Sequence, residues 1–70
     1  MKENNYFGEN LKQLRTESKM SQEKFASLLN TSRQRVSEWE CGKVEPSLFN
    51  ILKIMEILNC SFDELTDRMK

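Results

Sequence analysis

The segment TSRQRVSEWECGK, which begins at residue 31, carries the densest set of side chains that could recognise another molecule. Only its valine and its tryptophan are large and apolar, and most other positions hold hydroxyl, amide, guanidinium or carboxylate groups. Arginine pairs with guanine, glutamine pairs with adenine, and serine bonds to either base. Readout of DNA bases by Arg33, Gln34 and Ser37 is therefore one interpretation, and a solvated amphipathic helix is the other.

Catalytic and metal-binding chemistry has few residues to use in this chain. There is no histidine, and Cys41 and Cys60 match neither a disulfide framework nor a zinc-site spacing. The sequence contains no recognisable nucleophile–base pair, metal cluster or phosphate-binding loop. We therefore expect no enzyme activity, no cofactor, no metal site and two reduced thiols.

Length and hydropathy indicate one small domain. Seventy residues with 37% hydrophobic content can form a single, marginal core. No apolar run approaches the roughly 20 residues of a membrane span, and the N-terminus lacks the apolar region of a signal peptide. We expect a cytoplasmic protein without a membrane partner, with a core at about residues 7–66 and with residues 1–5 and 67–70 flexible or dimer-related.

Charge is balanced overall but unevenly distributed. Eleven basic and eleven acidic residues give no net charge, which argues weakly against nucleic-acid binding. Residues 19–43, however, hold five basic and three acidic residues, and residues 44–70 hold three basic and five acidic ones. The sequence therefore predicts a molecule with an uneven charge distribution, in which the positive side is formed by the middle of the chain.

Five short helices are predicted to position these groups. Apolar residues recur at helical spacing, and strict alternation is absent, so the fold class is all-α. Ser, Asn, Gly and Pro mark the helix ends. The predicted limits are about Tyr6 to Ser18, Ser21 to Asn30, Thr31 or Ser32 to Gly42, Pro46–Ser47 to Asn59, and a short fifth helix from Ser61. The fourth helix is expected to bury the apolar stripe of Leu48, Ile51, Leu52, Met55 and Leu58.

Five short motifs follow one another in the middle of the chain: Ser21-Gln22, Ala26, Asn30-Thr31, Ser32 to Val36, and Glu40 to Pro46. This ordered set resembles the phage repressor and Cro-like family of helix-turn-helix DNA-binding regulators. The resemblance covers about residues 7–66 and implies a compact five-helix, lambda-repressor-like domain with the helix-turn-helix at the second and third helices. Two positions depart from the family pattern: Asn30 stands where glycine is common, and Cys41 stands where a polar residue is common.

The resemblance implies roles for individual residues. The third helix would enter the major groove and read bases, whereas a second group would contact the DNA backbone. Alternatives remain for Gln22 as a plain first-turn residue, for Ser32 as a cap only, and for Arg35 as a solvent-exposed side chain. Glu38 either accepts a hydrogen bond from a cytosine amino group or only repels nearby phosphates. The implied base-reading residues are Arg33, Gln34, Ser37 and Glu38, and the implied backbone residues are Gln22, Thr31, Ser32, Arg35 and Lys43.

Two charged residues fall on the apolar faces of their helices. Arg15 lies four residues after Leu11, and Glu40 lies four residues after Val36. A lone charge in such a place is costly to remove from water. The family resemblance suggests that Arg15 and Glu40 form an ion pair that braces the first helix against the third.

Partners are expected on the C-terminal half. Family members usually dimerise and place two recognition helices one DNA turn apart on a palindromic operator, so a homodimeric repressor is the preferred function. Ile54, Ile57 and Phe62 are the predicted dimer contacts, with Met69 a weaker candidate. The alternative is an antitoxin-like or adaptor module whose protein partner binds the fourth and fifth helices, and a toxin-like neighbouring gene would favour it.

Overall fold

The computed structural model describes residues 6–67 as a five-helix domain, so the predicted all-α class is confirmed. The terminal residues 1–5 and 68–70, which the sequence predicts to be flexible or dimer-related, lie outside the described residues. No helix within residues 6–67 combines the length and the apolarity needed to cross a membrane. The helices are α1 (Tyr6–Glu17), α2 (Gln22–Leu29), α3 (Arg33–Cys41), α4 (Leu48–Leu58) and α5 (Phe62–Thr66).

Serine residues begin four of the five helices. Each of these serines has an extended backbone, and its side-chain oxygen accepts a hydrogen bond from the N–H group three residues later. Such a cap satisfies one of the N–H groups that a first helical turn leaves unpaired. At the last of them, the Glu64 side chain also accepts a bond from the Ser61 N–H, which completes a capping box. The capping serines are Ser21, Ser32, Ser47 and Ser61.

Left-handed residues follow four of the five helices, α1 to α4, and turn the chain sharply. Asn30, Gly42 and Asn59 have φ angles of 59°, 81° and 53° and follow α2, α3 and α4. Asparagine and glycine tolerate this conformation, and the sequence predicted all three as helix ends. Lys19, which follows α1 with φ 62°, was not anticipated, because lysine is not a usual left-handed residue.

The core forms where α1, α2 and α3 meet, and α4 and α5 close it. Helix α1 packs against α3 and α5, while α2 packs against α3 and α4. Full burial of one large apolar side chain stabilises a fold by about 1.5–3 kcal/mol. The buried apolar residues are Leu11, Phe25, Ala26, Leu29, Val36, Trp39, Ile54, Leu58 and Leu65.

The predicted apolar stripe of α4 is partly wrong. Leu48 and Leu52 are 69% and 54% exposed, whereas Ile54 is fully buried and Leu58 nearly so. Apolar residues occupy almost the whole circumference of α4, so helical periodicity could not identify the inward face. Burial of Ile54 also corrects its prediction as a dimer contact, because its side chain has no surface to offer a second copy.

A buried asparagine joins the first helix to the last. Asn10 donates through Nδ2 to the carbonyl oxygens of Leu65 at 3.0 Å and of Asp67 at 2.9 Å. These bonds join α1 to two carbonyl groups at the C-terminal end of α5, where a helix does not pair its last carbonyls itself. Asp67, which the sequence assigned to the C-terminal tail, is therefore held against α1.

Candidate nucleic-acid interface

Helices α2 and α3 are joined by a turn of three residues, Asn30 to Ser32. The Thr31 N–H donates to the Ala26 carbonyl at 2.9 Å, and the Asn30 N–H donates to the Ser27 carbonyl at 3.1 Å. With the left-handed Asn30, these bonds close the C-terminus of α2 and start α3 at once. The arrangement is a helix-turn-helix with α3 as its second helix.

Helix α3 has a narrow buried side and a broad polar side, as its sequence predicts. The buried side contacts the core and anchors the helix. The polar side holds guanidinium and amide groups that can donate hydrogen bonds to base edges. The buried residues are Val36, Trp39 and Glu40, the exposed ones are Arg33, Gln34 and Arg35, and Ser37 and Glu38 are half-buried.

Glu38 lies between two of the predicted DNA-contacting residues. Its carboxylate accepts a hydrogen bond from Gln34 Nε2 at 3.4 Å, and its other oxygen lies 3.9 Å from Arg35 Nε. Both contacts are long and at the surface, where pairs of this kind contribute little stability. Gln34 and Arg35 can therefore separate from Glu38 at small cost.

Arg15 and Glu40 meet below the polar surface. Arg15 Nε lies 2.6 Å from Glu40 Oε2, and Arg15 Nη2 lies 3.2 Å from Glu40 Oε1. A third guanidinium nitrogen, Nη1, donates to the Met20 carbonyl at 2.7 Å. Both side chains are buried, so the pair joins α1, α3 and the end of the α1–α2 loop within the protein interior.

Gln22, the first residue of α2, belongs to the same hydrogen-bonded network. Its Nε2 donates to Glu40 Oε1 at 3.0 Å, and its side chain is half-buried. Gln22 was expected to contact a phosphate, but its bond to Glu40 was not anticipated. The two residues are 18 positions apart, and nothing in the local sequence pattern links them.

An open cleft of about 500 Å³ lies beside Gln22, between α1 and the starts of α2 and α3. Three of its lining side chains are cationic and one is acidic, but Arg15 is already paired with Glu40. Lys12 and Arg33 therefore supply the positive charge that favours an anion in this cleft. Lys12 was absent from the predicted site, although its position three residues before Arg15 places it on the same side of α1. The lining residues are Lys12, Arg15, Ser21, Gln22, Glu23 and Arg33.

The remaining residues that the sequence predicts to contact the DNA backbone lie at the two ends of α3. Thr31 is half-buried in the turn, and the Ser32 hydroxyl accepts a bond from the Arg35 N–H at 3.0 Å. Capping is thus one role of Ser32. Lys43 is exposed, and its N–H donates to the Glu38 carbonyl at 3.0 Å.

An apolar surface lies on α4 and α5. Leu48, Phe49 and Leu52 are exposed and lie on one side of α4, which we call the α4 outer face. Of the predicted dimer contacts, Phe62 is 51% exposed and Ile57 is half-buried against the core. Met69 lies outside the described residues. Phe62 also lines an apolar groove of about 250 Å³ with Phe7, Glu45, Pro46, Ile51 and Thr66.

The sequence matches a known family and several named regulators. The family model described as "Helix-turn-helix" matches residues 11–65. The Bacillus subtilis SPbeta prophage-derived uncharacterized HTH-type transcriptional regulator YonR is 42% identical over 84% of this chain and 55% of its own length. The Enterococcus faecalis HTH-type transcriptional activator BcrR is 39% identical over 84% of this chain and 29% of its own. The chain thus spans about half, or less, of these relatives.

Solved structures share the fold. The restriction-modification controller protein C.AhdI from Aeromonas hydrophila is 40% identical with a TM-score of 0.79, over 86% of this chain and 91% of that one. The hydroxypropylphosphonic acid epoxidase from S. wedmorenis is 35% identical with a TM-score of 0.82, over 89% of this chain and 33% of that enzyme. The similarity to the epoxidase concerns the helical domain, which that enzyme carries in addition to the rest of its chain.

Proposed function

Because the chain belongs to the Cro/C1-type helix-turn-helix family of transcriptional regulators, we propose that it regulates transcription by binding a specific duplex DNA sequence. The observation that carries this proposal is the polar side of α3. This side displays guanidinium and amide groups outward while Val36 and Trp39 fix the helix to the core. A rigid helix with such a face can enter the major groove and discriminate between bases.

Base readout is assigned chiefly to the first turn of α3. Arg33 and Gln34 are exposed there, and each can form a pair of hydrogen bonds with one base. A good pair gives about 1–3 kcal/mol of discrimination against the wrong base. Ser37 and Glu38, one turn further along, are the secondary readers, and Glu38 can accept a hydrogen bond from a cytosine amino group.

The residues proposed to contact the DNA backbone lie around α3. Gln22 and Lys12 border the cationic cleft, and Lys43 is exposed beyond the other end of α3. Thr31 and Arg35 complete the proposed set, and Ser32 adds its hydroxyl where capping leaves it accessible. Contacts of this kind orient the protein on DNA without reading sequence, and they make affinity depend on salt.

The protein acts as a homodimer in this proposal. One α3 reads only a few base pairs, whereas two copies on a palindrome read two half-sites about 34 Å apart. The α4 outer face, together with Phe62, supplies exposed apolar surface of the type found at dimer interfaces. Leu48, Phe49 and Leu52 thereby replace the buried Ile54 among the proposed contacts, and Ile57 contributes at their margin.

We assign repression as the direction of regulation. Occupying an operator that overlaps a promoter excludes RNA polymerase and needs only the DNA contacts described above. Activation needs a further surface that recruits the polymerase, and the relative BcrR is named an activator. A promoter–reporter assay with and without the protein distinguishes the two: repression lowers reporter output, and activation raises it.

The α4 outer face also favours a second candidate function. Exposed large apolar side chains mark binding sites for other proteins as well as for a second copy. An antitoxin-like or adaptor role would place a different protein on α4 and α5. In that case the purified chain stays monomeric and forms a stable complex with the product of a neighbouring toxin-like gene.

Selection from random duplex DNA, followed by sequencing, tests the main proposal. It is run at two salt concentrations with the wild type, with an Arg33→Ala, Gln34→Ala variant, and with a Gln13→Ala control on the exposed side of α1. An inverted repeat that is enriched by the wild type and the control but lost in the double variant supports sequence-specific binding. Weak, salt-sensitive binding without a motif in all three contradicts it.

A further inference from the structure

We propose that Glu40 is a positioning residue for DNA binding, in addition to being the buried partner of Arg15. Its carboxylate orients the side-chain amide of Gln22, so that one amide N–H is presented to a DNA phosphate. This inference rests on the proposed function, in which Gln22 contacts the DNA backbone. The observation behind it is the 3.0 Å hydrogen bond from Gln22 Nε2 to Glu40 Oε1.

The chemistry of the two groups determines which way the amide faces. A carboxylate only accepts hydrogen bonds, so the NH₂ end of Gln22 must face Glu40 and the amide oxygen must face away. The NH₂ group has two hydrogens, and Glu40 uses one of them. A phosphate oxygen also only accepts, so the second N–H is the group that it requires. Without the carboxylate, Gln22 can present either end of its amide.

The orienting carboxylate is itself immobilised. Its side chain is 3% exposed, and Arg15 holds both of its oxygens at 2.6 and 3.2 Å. Arg15 is in turn anchored by its bond to the Met20 carbonyl. A buried, bidentate pair of this kind has little rotational freedom. The ion pair therefore fixes the amide at the start of α2 relative to α3, which carries the base-reading residues.

The position of Gln22 suits this role. Its side chain lines the cationic cleft, where Lys12 and Arg33 approach from α1 and from α3. A phosphate at this cleft would meet the Gln22 N–H and two cations at once. Because the amide is already ordered before DNA binds, less conformational entropy is lost on binding.

A double-mutant cycle on the full chain tests the role of Glu40. Simple loss of its charge would leave Arg15 buried and unpaired and could unfold the domain, so the pair is replaced by apolar side chains in an Arg15→Met, Glu40→Leu variant. Replacements of this type are often neutral or stabilising. The apolar replacement and Gln22→Ala are measured singly and together. Affinity for the selected operator duplex is determined at a temperature at which circular dichroism shows all four proteins folded.

The expected result is strong coupling between the two changes. Gln22→Ala weakens binding about tenfold, which is typical of losing a hydrogen bond to a charged group. The apolar replacement weakens binding by a similar factor when Gln22 is present and causes little further loss in the Gln22→Ala background. It also leaves the preferred operator sequence unchanged, because no base-reading residue is altered.

Two results would overturn the inference and are distinguishable from failure of the proposed function. If the apolar replacement binds as tightly as the wild type, or weakens binding equally with and without Gln22, then Glu40 does not act through Gln22. If the wild type itself binds no duplex DNA above the level of nonspecific attraction, then the proposed function fails, and this role of Glu40 fails with it.

Discussion

Arg15 on α1 and Glu40 on α3 form a buried ion pair, with Nε–Oε2 at 2.6 Å and Nη2–Oε1 at 3.2 Å. The pair fixes the angle between the helix that begins the domain and the helix that carries the polar face. Burial makes the arrangement costly to break from one side only, because the remaining charge would have neither water nor a partner.

Loss of the Arg15 side chain should therefore destabilise the fold strongly. We expect Arg15→Ala to lower the free energy of unfolding by about 3–5 kcal/mol. Arg35→Ala is the matched control, since Arg35 is exposed and lies 3.9 Å from Glu38, and its effect should stay within about 0.5 kcal/mol. Thermal denaturation measures both, and equal melting temperatures for the two variants would contradict the prediction.

After Arg15, substitution of Asn10 should have the next largest effect on stability among the polar residues. Removal of its amide in Asn10→Ala leaves the Leu65 and Asp67 carbonyls without their bonds from α1. We expect the free energy of unfolding to fall by about 1–3 kcal/mol. Relative to the wild type, hydrogen exchange should accelerate more in α5 than in α2. The exposed Gln13→Ala serves as the control, and unchanged exchange rates in α5 would show that Asn10 does not hold this helix.

Replacement of Lys19 should stabilise the protein. Its φ of 62° is a left-handed backbone conformation. This conformation costs energy in a residue with a Cβ atom, whereas glycine adopts it without penalty. We expect Lys19→Gly to raise the free energy of unfolding by about 0.5–1 kcal/mol, or several degrees in melting temperature. Lys24→Gly, inside α2, should instead lower it by about 1 kcal/mol. Shifts of the same sign in both variants would argue against a conformational origin.

Base-reading and backbone residues should differ in how they alter DNA binding. Arg33→Ala should cost about 1–3 kcal/mol on the preferred operator and relax the preference at one base position. Lys43→Ala should weaken binding to all sequences similarly and reduce the salt slope by about one. Titrations on the operator and on single-base variants, at several salt concentrations, measure both effects. A Lys43→Ala variant with altered base preference would reverse the assignment.

A charge on the α4 outer face should prevent dimerisation. Leu52 is 54% exposed, so Leu52→Glu should leave the fold intact while placing a carboxylate within the proposed interface. We expect sedimentation velocity to show a dimer for the wild type and a monomer for Leu52→Glu. Leu28→Glu, at a second exposed leucine on α2, should remain dimeric. Dimers for both variants would exclude this face as the contact.

The sequence by itself determined the helices, most of their limits and the polar side of α3. The left-handed Lys19 after α1 and the end of α5 were not among the features it determined. The determined features depend on residues within one turn of each other: a serine and the N–H three positions later, or an asparagine that ends the helix before it. Val36 and Trp39 were also identifiable as the buried side of α3, because their helix has few other apolar residues. The family followed from the same local motifs taken in order.

Only the tertiary structure decided which side of α4 faces the core. Apolar residues lie on both sides of that helix, so the choice between burying Ile54 and burying Leu52 depends on the shape that α1, α2 and α5 leave open. The bonds from Asn10 to Leu65 and from Gln22 to Glu40 likewise join residues 55 and 18 positions apart. Polar contacts at such separations depend on how the helices pack, so the local periodicity of a sequence does not predict them.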